Sequence, residues 1–215
     1  MAGAKIVSNE TKQTLVFVYG TLKKDFPNHY LFEQLISQKE ATYVGTCITH
    51  QPHPLVIGPC GIPYMLYLPG SVGHQINGEL YSVTAQGLVS LDELEGTSVG
   101  HYERRPVQVT TREKSDAEEG EKGRTVVLVD AEAYFAHRNF GERMWARCGR
   151  VGLDEYSLER AACDYVKKVN RPEGWSFLDE IENFLSEAYP NLRDQNTCFS
   201  NIIRKTELPR CSSGR

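Results

Sequence analysis

The chain has 215 residues, 40% of them hydrophobic and 24% charged, with a formal net charge of −4. That length and balance suit one globular domain with an appendage. The charge argues against a general nucleic-acid binder, which carries a basic footprint. No run of 18 apolar residues predicts a membrane span, and Met1 to Thr14 lacks the apolar core of a signal peptide. Six scattered cysteines, at 47, 60, 148, 163, 198 and 211, show no zinc or redox spacing and read as reduced thiols of a cytoplasmic protein.

In chain order, Leu15 to Tyr19 is a short run of β-formers ended by Gly20 and predicts a fully buried strand. Asn28 is placed to cap a helix through about Ser37, with Leu31, Leu35 and Ile36 toward the core. Tyr43 to Thr49 predicts a strand. Gln51 to Pro63, dense in Pro and Gly, predicts a shaped loop around Leu55-Val56-Ile57. Ile62 to Leu68 and Ile76 to Val83 predict further strands. Thr84 then caps a helix to Glu95, with Gly96 as its stop. Pro106 to Thr111 and Thr125 to Phe135 are the last strands, joined by a charged loop at 112–124.

From about Gly152 the pattern becomes helical. Leu158, Ala161, Ala162, Tyr165, Val166 and Val169 form one stripe. Phe177, Leu178, Ile181, Phe184, Leu185 and Ala188 form a second. The two flank Arg171-Pro172-Glu173-Gly174, which predicts a C-terminal helical hairpin. The division is then a strand-rich body at 14–150, a helical extension packed on it at 151–190 and a tail at 191–215.

The helix ending at Glu95 carries the most chemical information. Leu88, Leu91 and Leu94 share one face, and Glu95, seven residues past Leu88, falls about 20° from it on the wheel. Glu93 points away and Asp92 sits at the boundary. A carboxylate on the apolar side, in the last turn of a helix, has its pKa raised by burial and by the helix dipole. Such a group can take a proton and return it. The competing reading is a boundary residue that reaches past the helix end to a cation. Tyr19-Gly20-Thr21-Leu22 follows the first strand. A Gly-containing turn there can aim successive N–H groups at one anion, or can be an ordinary turn.

Other polar residues have plainer readings. His50 and His53 stand among prolines and read as loop residues, not metal ligands. His29 is either near a pocket or simply in the first helical turn. Glu118 to Glu121 reads as a solvated acidic loop, and Trp145 and Trp175 as packing residues.

Several blocks in a fixed order carry a resemblance. They are Val16 to Lys23, Pro27-Asn28-His29, Pro54 to Ile57, Ile62-Pro63-Tyr64, Leu68 to Ser71, Gly78 to Tyr81, and Leu91-Asp92-Glu93-Leu94-Glu95 with Tyr102 beyond. The ordered set resembles the γ-glutamylcyclotransferases, within them the γ-glutamylamine cyclotransferases and the avirulence-induced proteins of plants. It covers roughly residues 15–110. The resemblance implies an α+β fold, a small mixed β-barrel with flanking helices. It implies that the loop of Tyr19, Gly20, Thr21 and Leu22 holds a substrate α-carboxylate through backbone N–H groups, that Glu95 is the catalytic acid and base, and that Tyr102 lines the same pocket. The implied reaction cyclises a γ-glutamyl amine or γ-glutamyl amino acid to 5-oxoproline and frees the amine, with no metal and no cofactor. The implied partner is a small γ-glutamyl substrate, without nucleic acid or membrane. The helical extension has no counterpart in the short γ-glutamylamine enzymes. A non-catalytic carboxylate-binding module or a stress-response adaptor is the alternative, for which loss of the acidic residue would be the sign. Glu95 is present.

Overall fold

The computed structural model describes residues 13–70, 72–112, 126–171, 174 and 176–186. Five strands close into a barrel, β1 (Thr14–Val18), β2 (Ala41–Thr49), β5 (Asn77–Val83), β6 (Tyr102–Arg112) and β7 (Val126–Ala136), in the order β1-β5-β2-β6-β7. β1 closes the ring by pairing parallel to β7, with Val16 opposite Glu132 and Phe17 opposite Ala133. All the other pairings within the barrel are antiparallel. Two short strands, β3 (Leu55–Ile57) and β4 (Pro63–Met65), form a separate hairpin.

The run of β1 is buried on both faces, as its lack of alternation predicts. Val16 and Val18 enter one core cluster with Phe32, Tyr64 and Leu91. Phe17 and the following Tyr19 enter another with Leu55, Phe135 and Tyr156. β6 begins four residues earlier than the sequence suggests and runs through Pro106. A proline is tolerated there because β2 reaches β6 only at Val109, Thr110 and Thr111, so the Pro106 nitrogen lies outside that ladder.

Helix α1 (His29–Ser37) follows Asn28, but the Asn28 side chain does not cap it. Its buried residues are Phe32 and Leu35, while Ile36 is exposed, so the buried stripe is rotated from the predicted one. Helix α2 (Ala85–Leu94) starts as expected: the Thr84 hydroxyl accepts from Gly87 N at 3.1 Å. Gly96 follows with φ +62°, a left-handed stop that suits glycine. Helix α3 (Arg138–Arg147) is not foreseen by the sequence reading. Its arginines hide a buried stripe of Phe140, Met144 and Trp145.

Beyond residue 150 the second predicted stripe forms a helix, whereas the first is cut short. Helix α4 (Leu158–Asp164) is short. Tyr165 turns extended and Val166 N donates to Cys60 O at 2.9 Å, which ends the helix; Leu158 and Val169 are exposed. Helix α5 (Phe177–Ser186) buries Ile181 and packs on α3 and on the turn at Pro59–Gly61; α4 packs on that same turn. Cys47, Cys60 and Cys148 are free thiols, whereas Cys163 is disulfide-bonded, so the expectation of reduced thiols fails at that position. The charged loop at 112–124, Trp175, Ala188 and the tail at 191–215 lie, in whole or nearly so, outside the described residues.

The segment after α3 is joined to the barrel by buried polar contacts. Tyr156 is fully buried and its hydroxyl donates to Gly61 O at 3.0 Å. Lys23, also buried, donates to Tyr156 O at 2.9 Å. Tyr156→Phe leaves the Gly61 carbonyl without that donor, so a loss of about 1–2 kcal/mol of stability is expected in urea unfolding. An unchanged midpoint would show that the contact contributes nothing.

Candidate active site

A cavity of about 450 Å³ lies beside β1 and the C-terminal end of α2. Its wall includes Tyr19, Gly20, Thr21, Leu22, Glu95 and Tyr102, so residues separated by some 80 positions in sequence share one space.

The turn after β1 is held from several sides. Lys23 N donates back to Gly20 O at 3.2 Å and Asn28 N to Thr21 O at 3.0 Å. The Asn28 amide, free of any capping duty, donates to Thr21 Oγ1 at 3.0 Å and accepts from the Tyr165 hydroxyl at 2.9 Å. His29 Nδ1 lies 2.9 Å from Leu22 O. Lys24 N donates to Glu79 at 2.9 Å. Among the described residues, the N–H groups of Gly20, Thr21 and Leu22 have no acceptor. Buried backbone donors are ordinarily satisfied, so an open run of them at a cavity wall suits an anion.

Gly20 is required for space, not for an unusual φ. A Cβ built on it would lie 2.9 Å from Pro63 Cγ. The Tyr19 side chain is engaged elsewhere: its hydroxyl donates to Tyr134 O at 2.7 Å and accepts from Met65 N at 3.1 Å. Tyr102 donates to Pro63 O at 3.2 Å and stacks on Tyr64, with centroids 5.1 Å apart and planes 9° from parallel. Tyr64 in turn meets His101 Nε2 at 2.9 Å. Pro63 is thus pinned between Gly20 and Tyr102.

Three acids lie close in sequence on α2 and meet different fates. Asp92 is taken by Arg104, at 2.9 and 3.2 Å, and by the Tyr134 hydroxyl at 2.8 Å. Arg104 also pairs with Glu132. Glu93 is exposed at the cavity mouth. Glu95 occupies the C-cap of α2, its backbone N–H bonded to Leu91 O at 2.9 Å. Its carboxylate has no hydrogen-bond or ion partner among the described residues, and burial lifts its pKa from 4.5 to about 7. The reading of Glu95 as a boundary residue paired to a cation therefore finds no cation. Its charge is felt at Tyr19, Tyr102 and Tyr134, whose hydroxyls are all held neutral, first by burial.

His101 is buried on the same wall, stacked on Phe177 at 4.4 Å, with Nδ1 unpartnered; burial and then Arg171 lower its pKa to about 4. Sequence reading missed His101 and the contributions of Tyr165, Lys168, Arg171 and Phe177 to the cavity. Only the position of His101 beside Tyr102 hinted at any of them. Elsewhere, His53 bridges His74 on the backbone and packs on Phe135. Among the described residues no group of three His, Cys, Asp or Glu side chains is placed to hold a metal ion, and no helix is long and apolar enough to cross a membrane.

Comparison with known proteins places the chain in a family. Residues 16–149 match the family model described as gamma-glutamyl cyclotransferase, AIG2-like. The Arabidopsis thaliana protein named "Putative gamma-glutamylcyclotransferase At3g02910" is 44% identical over 174 residues, 80% of this chain and 92% of its own. The gamma-glutamylaminecyclotransferase of Mus musculus is 39% identical over 118 residues, 54% of this chain and 77% of its own. The crystal structure of an AIG2-like protein from Mus musculus superposes with a TM-score of 0.54 at 30% identity, covering 74% of this chain and 99% of that one. The chain belongs to the AIG2-like gamma-glutamyl cyclotransferase family.

Proposed function

We propose that the protein converts a γ-glutamyl amine or γ-glutamyl amino acid to 5-oxoproline and the free amine, with Glu95 as acid and base. The observation that carries this reading is an unpaired carboxylate of raised pKa sharing a cavity with three open backbone N–H groups. The N–H groups of Gly20, Thr21 and Leu22 would hold the substrate α-carboxylate, which fixes the γ-glutamyl chain in a folded shape. Glu95 removes a proton from the α-ammonium group. The freed amine attacks the γ-carbonyl and the new C–N bond closes a five-membered ring. The bond to the departing amine breaks as Glu95 returns the first proton to it, and the second proton shed by the ring nitrogen passes through Glu95 to the freed amine, which leaves as the ammonium. Ring closure within one bound molecule draws on the large effective molarity of such reactions. Tyr102, uncharged and fixed by Pro63, forms the wall beside the reacting groups.

The test is 5-oxoproline release from γ-glutamyl-ε-lysine, γ-glutamyl-alanine and glutathione. Turnover of none of them by folded protein would remove the reading and favour a carboxylate-binding module. The pH dependence is a second check. Glu95 must be ionised to act as base, so kcat/KM should fall tenfold per unit below about pH 7 and level off above it. An acid limb centred near 4.5 would show a base with the ordinary carboxylate value and remove the raised pKa from the argument.

A further inference from the structure

Four side chains of the cavity wall, Tyr165, Lys168, Arg171 and Phe177, lie beyond residue 149, where the family match ends. Two of them are cations. The Arg171 side chain is only 6% exposed. Its Nε donates to Val166 O at 3.0 Å, and its guanidinium carbon lies 5.8 Å from the Tyr165 ring centre and 5.5 Å from that of Phe177. Its ion partner among the described residues is Glu180, at an N···O distance of 3.7 Å, which is too long for a hydrogen bond. Nη2 makes no hydrogen bond among the described residues. Lys168 is exposed beside it, with no ion pair among the described residues.

A planar cation fixed against two rings, with unused donors and a lysine nearby, is suited to a carboxylate. The α-carboxylate of the γ-glutamyl group already has the open N–H groups of Gly20, Thr21 and Leu22. The acids of the cavity, Glu93 and Glu95, both come from α2, so the basic wall is supplied by a separate element. We propose that this C-terminal wall is the leaving-group subsite and that Arg171 and Lys168 select a departing amine that carries a carboxylate. The proposal rests on the cyclisation reading above and specifies its substrate class.

The test uses the full chain and two matched substrate pairs that differ by one carboxylate: γ-glutamyl-alanine against γ-glutamyl-ethylamide, and γ-glutamyl-ε-lysine against γ-glutamyl-cadaverine. In at least one pair the acid should be preferred tenfold or more in kcat/KM. Arg171→Gln and Lys168→Ala should each bring that ratio below threefold, chiefly through KM of the acid. Lys168 is exposed, so its variant reports even where Arg171→Gln disturbs folding by stranding Glu180. Equal rates within both pairs would overturn the proposal, and so would variants that slow both members of a pair alike, since Arg171 would then read the γ-glutamyl half or merely support the fold. No 5-oxoproline from any of the four substrates would remove the cyclisation itself and this subsite with it.

Discussion

Glu95→Gln is expected to lower the rate of 5-oxoproline formation by three orders of magnitude or more while leaving the fold intact. General acid–base catalysis is worth about 10²–10⁴ in rate. In the proposed mechanism one group serves both proton transfers, and the described residues offer no second free acid beside it: Asp92 is bound by Arg104 and Tyr134, and Glu93 is exposed. The amide nearly matches the carboxylate in shape, so the loss should fall on kcat with little change in KM. Stability should move the other way. The folded pKa is near 7 against about 4.5 in the unfolded chain, so between those values the native state keeps a proton that the unfolded state has released. The wild type therefore loses stability as the pH rises from about 4.5 to about 7, and the loss is complete above that. Glutamine has no such cost. At pH 8 the variant should be more stable by about 2 kcal/mol, a figure reduced for the partial exposure of Glu95. A variant that is both active and no more stable would contradict the assignment on two independent counts.

Gly20→Val is the second large effect. Even the first added carbon lies 2.9 Å from Pro63 Cγ, and the two methyls beyond it need more room. Pro63 cannot retreat freely, because its carbonyl receives the Tyr102 hydroxyl and its strand pairs with Ile57. The strain is expected to displace the turn that presents the N–H groups of Gly20, Thr21 and Leu22. Since a misplacement of 1 Å can cost about a hundredfold, kcat/KM should fall by that order, with KM raised. Binding of 5-oxoproline, measured by calorimetry, should weaken in parallel. Wild-type product affinity in a folded Gly20→Val protein would mean that the turn does not hold the carboxylate.

The sequence was informative where a property is local. The end of α2 at Gly96, the hydroxyl cap of Thr84 and the two-faced burial of β1 follow from composition and short spacings. The blocks around Tyr19 to Leu22 and around Glu95 carried the family resemblance, and both line the cavity. Three things were not legible. The role of Asn28 was misassigned, because a capping residue and a residue that bridges Thr21 to Tyr165 look alike until the remote partner is known. α3 escaped notice because its arginines lower the mean hydropathy of a segment whose buried face is intact. The stripe running to Val169 suggests one helix, although Cys60 captures the Val166 N–H and stops it at Asp164. The first and the third depend on a contact between segments far apart in the chain, which no periodicity records.

The hydrogen bonds that run from Tyr165 through Asn28 to Thr21, with the Lys23 to Tyr156 contact behind them, join the end of the described chain to its beginning. The turn of Gly20, Thr21 and Leu22 is thus kept in shape partly by residues about 140 positions downstream. Opening of the C-terminal segment and disordering of the turn become linked events, because each removes partners from the other. Occupancy of the turn by an anion would then favour the docked state of the C-terminal segment, and docking would raise affinity for the anion by the same factor. Changes in the late part of the chain can therefore alter the shape of the early turn without touching the turn itself.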